Sequence, residues 1–240
     1  MSKGIVHTAG LLLLAAFIAF GLRTAALSDM TVTQEVTRTV GDSKTTTTQT
    51  TYWTKTKMRT DHLAGFIIIT DIESETVTAV NPKEKTYVPS KFGDLQDVEA
   101  ALSPKSAGIQ FSVRETGEKK TIDGYPCEKL VLTVGPIEIV AWITSKIAID
   151  PSVTEFNKKL LDLTRDIKLL NAQAQMQAAF DKHKAYPYLT IIEVSPPLAD
   201  KAGRMETKVK KVSYKKIDPS VFAIPSGYKK LAVPSMPAQE

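Results

Sequence analysis

Three histidines (His7, His62 and His183) and one cysteine (Cys127) are the side chains in this 240-residue chain best suited to nucleophilic or metal chemistry. His62 and His183 lie in different segments, and neither has a second ligand-type residue at metal spacing. Cys127 stands in Gly124-Tyr125-Pro126-Cys127-Glu128. A nucleophilic thiol needs a paired base and a lowered pKa; the sequence locates neither, so Cys127 reads as a buried packing thiol. Asp71, Glu73 and Glu75 read as a polar turn. The chain has no Gly-rich phosphate loop, no Gly-x-Ser-x-Gly elbow and no His-Glu-x-x-His. The expectation is a protein that is not an enzyme and that carries no cofactor or metal. A hydrolase would need His62 or His183 beside a carboxylate or Cys127 in space.

The elements that must position these residues are mostly strands. Thirteen of the 30 residues from Thr31 to Thr60 are threonine, and this β-branched stretch alternates as a strand with one wet face does. Gly41-Asp42-Ser43 turns it back on itself; the alternative over 27–45 is a disordered Thr-rich tail. Strands follow at 65–70, 76–80 and 85–88, separated by polar turns, in the pattern of an antiparallel meander. Leu95, Val98 and Leu102 have helical spacing and stop before Pro104, giving a short helix over 94–103. More strands are expected at 109–114, 119–123, 128–134, 137–144, 188–194 and 205–214, with Gly124 and Gly135-Pro136 as turns.

One long amphipathic helix is expected over about 152–183. Ser152 with Glu155 makes a capping box, and Asp150 ahead of Pro151 offers another cap for the same start. Phe156, Leu160, Leu163, Ile167, Leu170 and Ala174 form its apolar stripe. Unbroken, it would span roughly 48 Å; a break is expected near Asn171, where the face weakens into Ala and Gln.

Residues 1–26 read as a cleaved export signal, with Lys3 as the positive region, an apolar run from Leu11 to Leu22 and a small-residue end at Thr24-Ala25-Ala26. The run is shorter than the roughly 20 residues a spanning helix needs. Taking it back to Ile5 gives the alternative of an uncleaved anchor. Cys127 lies far from this segment, so it offers no lipoprotein acceptor. Cleavage would remove Lys3 and Arg23 and no acid, lowering the net charge from +5 to +3. That mild excess is scattered. Even the densest positions, Lys208-Val209-Lys210-Lys211 and Lys215-Lys216, read as the solvent face of a strand. Nucleic-acid binding, which needs a clustered footprint with stacking aromatics, is not expected. The address implied is exported, periplasmic or extracellular, without a stable transmembrane anchor.

The fold expected is mainly β (α+β). A curved antiparallel sheet or half-open barrel has one face covered by the long and the short helix. A single domain spans 27–231, with the helical insertion at about 150–183 and a disordered tail at 232–240. If the helices close loosely, the concavity takes an apolar ligand such as a lipid or acylated molecule. Its expected lining is Met58, Ile68, Tyr87, Phe111, Leu132, Ile139 and Trp142. The competing reading is an envelope scaffold with a filled core that docks a protein partner.

Several segments carry a family resemblance: Lys57-Met58-Arg59-Thr60-Asp61, Lys85-Thr86-Tyr87, Ile122-Asp123-Gly124-Tyr125-Pro126-Cys127-Glu128-Lys129 and Ala141-Trp142-Ile143-Thr144. The last is the ending Ile217-Asp218-Pro219-Ser220-Val221-Phe222-Ala223-Ile224-Pro225-Ser226-Gly227-Tyr228. In order and spacing, over residues 50 to 230, they resemble an exported bacterial family of domains of unknown function, DUF4412. That family is similar in fold to the LolA/LolB-type periplasmic lipoprotein carriers, which hold acyl chains in a half-open barrel. No functional residue of the carriers maps onto this chain, and fold analogy transfers no activity.

Overall fold

The computed structural model describes residues 29–61, 65–94, 111–134, 137–194 and 202–232. Several expectations lie outside them: the signal at 1–26, His62, nearly all of the short helix at 94–103, the Gly135-Pro136 turn and the tail from 233.

Among the described residues, largely from stretches of alternating β-branched and apolar residues, twelve strands form: β1 (Met30–Val40), β2 (Ser43–Trp53), β3 (Lys57–Asp61), β4 (Ile67–Asp71), β5 (Thr76–Asn81), β6 (Thr86–Lys91), β7 (Phe111–Ile122), β8 (Tyr125–Val134), β9 (Ile137–Thr144), β10 (Tyr186–Val194), β11 (Gly203–Ser213) and β12 (Lys229–Lys230). They pair in one open, curved sheet in the order β12-β6-β5-β4-β3-β2-β1-β11-β10-β9-β8-β7. All neighbours are antiparallel except β12, which lies parallel to β6. The two stretches expected as strands at 109–114 and 119–123 are a single strand, β7, with an irregularity between Glu115 and Lys119. Asp123 and Gly124 both have positive φ, the backbone of a two-residue hairpin turn that favours Asp-Gly.

The expected single long helix is two helices, α1 (Pro151–Leu163) and α2 (Lys168–Lys182). Asp150 is the cap, its carboxylate accepting from Ser152 N–H at 2.9 Å. The break falls at 164–167 rather than near Asn171. Both the Thr164 N–H and its hydroxyl donate to Leu160 O, which closes the last turn of α1. The stripe fails at the same place: Leu163 is 38% exposed while Thr164 is fully buried.

α1 contributes Val153, Phe156 and Leu160 to an apolar cluster with Met30, Val32 and Trp53 of β1 and β2. α2 contributes Phe180 and Met176 to a second cluster over β7 to β10. The opposite face of β3 to β6 is crossed by the chain after β11. This segment must travel from the middle of the sheet to its far edge. It includes a short 3-10 turn, Pro219–Phe222, capped by Asp218. Ile217 N–H donates to Asp29, the Arg59 guanidinium donates to Val221 O, and Lys229 N–H and Leu231 N–H donate to Lys85 O and Tyr87 O. Register places Ile69 and Val80 on the Arg59 side of the sheet, where they are 7% and 1% exposed. The strap so formed joins two family-resembling segments, Lys57–Asp61 and Ile217–Tyr228.

Candidate functional site

The seven residues expected to line one concavity are divided between the two faces of the sheet. Leu132 lies opposite Ile139, and Phe111 opposite Val134, two residues further along. Since alternate residues share a face, these three point together toward α2, in the cluster with Phe180. Trp142 is three residues from Ile139 in the same regularly paired strand, so it points the other way. There the Lys120 ammonium sits 3.8 Å from its ring centroid and that of Lys129 at 5.8 Å. Met58 pairs with Thr70, and Ile68 is two residues along, so those two share a face. Met58 packs against the α1 cluster. Tyr87 pairs with Val80 on the opposite face, beneath the strap. An odd spacing, as between 139 and 142, cannot serve one concavity in a regular strand.

The coherent patch is the one under α2. Leu132 and Ala141 are fully buried at its centre. Around them Phe111, Val113, Val134, Ile137, Met176 and Ile192 remain half-buried. The patch adjoins a cleft of about 540 Å³ between the end of α2 and the β7–β8 hairpin, and Ile143 and Ala185 belong to both. The cleft also carries Lys119, Lys120, Glu128 and His183. Lys119 pairs with Glu128 at 2.7 Å, and its ammonium pulls the Glu128 carboxyl below its ordinary range. The sequence signal missed here is the adjacent pair Lys119-Lys120 beside the Asp-Gly hairpin.

His183 Nε2 lies 3.2 Å from Glu115 Oε1, and Cys127 lines the same cleft. This is the juxtaposition of histidine and carboxylate that a hydrolase would need. The thiol beside it donates to Tyr125 O at 3.4 Å. Burial pushes its pKa up against the pull of Lys120, and Cys127 is 2% exposed. A thiol in that state is a poor nucleophile. Among the described residues, no group of three or more His, Cys, Asp or Glu could hold a metal ion, and no helix is long and apolar enough to cross a membrane.

Asp181 lies in the last turn of α2. Burial raises its pKa, and its Oδ1 has no partner among the described residues. A negative charge at a helix C-terminus also opposes the helix dipole. Asp181→Asn is therefore expected to raise stability by about 1 kcal/mol. A urea melt with a lower midpoint than wild type would show that the charge is compensated.

Residues 27–228 match the model of a family described as a domain of unknown function, DUF4412. No curated protein matches. Among solved structures, the chain is similar to an uncharacterized conserved protein from Thermus thermophilus, at 9% identity over 87% of this chain and 92% of that one, with a TM-score of 0.48. It is similar to PNGF-II at 9% identity over 86% of this chain and 32% of that one, with a TM-score of 0.41. It is also similar to a LolA superfamily protein from Nitrosomonas europaea, at 8% identity over 82% and 91%, with a TM-score of 0.35.

Proposed function

We propose that this chain, which belongs to the DUF4412 family, is an exported, non-catalytic binding protein that holds the apolar part of a lipid or acylated ligand beneath α2. The observation that carries this reading is the half-buried apolar rim of Phe111, Val113, Val134, Ile137, Met176 and Ile192 on a patch whose other end, at Ile143 and Ala185, lines the 540 Å³ cleft. Apolar surface left uncovered around a packed centre marks a place where another apolar group is received. Each methylene buried there contributes ~0.8 kcal/mol, so a short acyl segment gives useful affinity.

Native mass spectrometry before and after solvent extraction, with fluorescence titration of parinaric acid, tests the reading. Wild type is expected to bind the probe stoichiometrically. Val113→Asp and Ile137→Asp, both at half-buried positions, are expected to weaken binding at least tenfold while the melting curve stays cooperative. A bare mass and no probe binding would favour the filled-core scaffold. The near-complete burial of Leu132 and Trp142 supports that second reading.

A further inference from the structure

A different surface carries the further inference, and it is independent of what lies beneath α2. In β10 the pairing with β9 steps from Pro187 to Leu189, leaving Tyr188 as an extra residue. In β11 the pairing with β1 steps from Val209 to Lys211, leaving Lys210 as an extra residue. Bulges of this kind re-aim side chains. Here both extra residues face one cleft of about 210 Å³, with Tyr125, Lys146, Lys211 and Tyr214 around it. The basic run from Lys208 is therefore not the plainly alternating solvent face expected from the sequence.

The cleft has rigid aromatic walls. Tyr125 and Tyr188 stack with ring centroids 4.6 Å apart, and Tyr188 Oη donates to Asp123 at 2.8 Å. Tyr214 Oη donates to Ala148 O at 2.7 Å, yet the residue stays 42% exposed. The acids nearby are already engaged. Asp123 takes Lys208 at 3.1 Å, Glu35 takes Lys210 at 3.6 Å, Asp150 caps α1, and Asp29 accepts from Ile217 N–H. Lys146, Lys211 and, just past Tyr214, Lys215 and Lys216 are exposed and have no carboxylate partner among the described residues. Uncompensated lysines around an exposed tyrosine match an anionic bilayer. Each lysine near such a surface contributes about 1 kcal/mol, and a tyrosine ring with a polar tip suits the headgroup layer.

We propose that this bulge-built lysine–tyrosine cleft docks the protein on the surface of an anionic phospholipid bilayer. The test is co-sedimentation of the full-length chain with vesicles of phosphatidylcholine alone and with 30 mol% phosphatidylglycerol. The neutral vesicles measure any contribution of the apolar N-terminal run. Wild type is expected to partition more strongly onto the anionic vesicles, and the excess is expected to fall with added salt. Lys146→Gln with Lys211→Gln is expected to cut that excess about thirtyfold, roughly fivefold per lysine. Tyr214→Ala is expected to weaken it without changing the salt slope. Lys158→Gln with Lys159→Gln, an equal charge change on the exposed side of α1, is expected to leave it unchanged, and all variants are expected to melt like wild type. Equal binding to both vesicle types would overturn the proposal. So would equal losses in the two double variants, or displacement by millimolar glycerophosphate, which would make the cleft a small-anion site.

Discussion

Ile139→Glu is expected to yield no cooperatively folded protein. Ile139 is 8% exposed at the centre of β9, between Leu132 of β8 and Ile192 of β10, and belongs to the cluster closed by Phe180. A carboxylate there has no cation in the cluster to pair with, and an unpaired buried charge costs several kcal/mol. Whole domains have only about 5–15 kcal/mol to lose. Trp142→Lys is expected to be nearly as damaging for a different reason. Trp142 is 3% exposed, and its ring is the apolar surface beneath the Lys120 ammonium. The variant removes that surface and adds a third cation beside Lys120 and Lys129. Circular dichroism melts and limited proteolysis check both. A cooperative transition within a few degrees of wild type in either variant would mean that the site is solvated and that the two faces are not packed as described.

Truncation after Lys216 is the second large effect. It removes the strap and β12, and with them the acceptor of the Arg59 guanidinium and the two backbone bonds to β6. It also uncovers the face carrying Ile69 and Val80 and leaves β6 as an unprotected edge, which invites pairing between chains. The expected result is self-association by light scattering and a melting transition lowered by more than 10 °C, or lost. Arg59→Met separates the tie from the cover. It keeps the strap and removes the guanidinium's two hydrogen bonds, to Val221 O and to the Asp61 carboxylate, for an expected loss of about 1.5–3 kcal/mol. A truncated chain that stays monomeric and melts like wild type would show that the strap is not structural.

Much of this architecture was legible in the sequence, because period-2 alternation fixes strands wherever one face is buried. Strands 137–144, 76–80 and 128–134 lie where the alternation put them, to within three residues. The turn at Gly124 was readable because a single residue type controls that backbone, whereas at the start of α1 the sequence offered both a Ser152–Glu155 capping box and Asp150, and the structure uses Asp150. What could not be read depends on long-range partners. At the break, the Thr164 hydroxyl shares the Leu160 carbonyl with its own N–H, and Thr is common enough in helices that its type alone decides nothing. The division of the seven apolar candidates was partly readable, since 139 and 142 have opposite parity. Assigning Tyr87 and Ile68 to their faces, by contrast, requires the register across β4, β5 and β6. The bulges at Tyr188 and Lys210 leave only a doubled lysine in the sequence, and that trace is ambiguous until the partner strands are known. The strap residues form no long regular element, so neither period-2 nor period-3.6 analysis could place them.

The position of β12 also bears on the order in which the molecule can be assembled. β1 neighbours β11 at the centre of the sheet, and the last pairing returns to β6 at the far edge. A chain emerging from its N-terminus can complete the meander from β2 to β6 early. It cannot seat β1 on its second neighbour, or cover Val80, until almost the whole polypeptide is present. Contacts of such sequence separation make folding slow. Until they form, the chain shows an open sheet edge and a bare apolar face. The same topology that seals the finished molecule therefore keeps the unfinished one open.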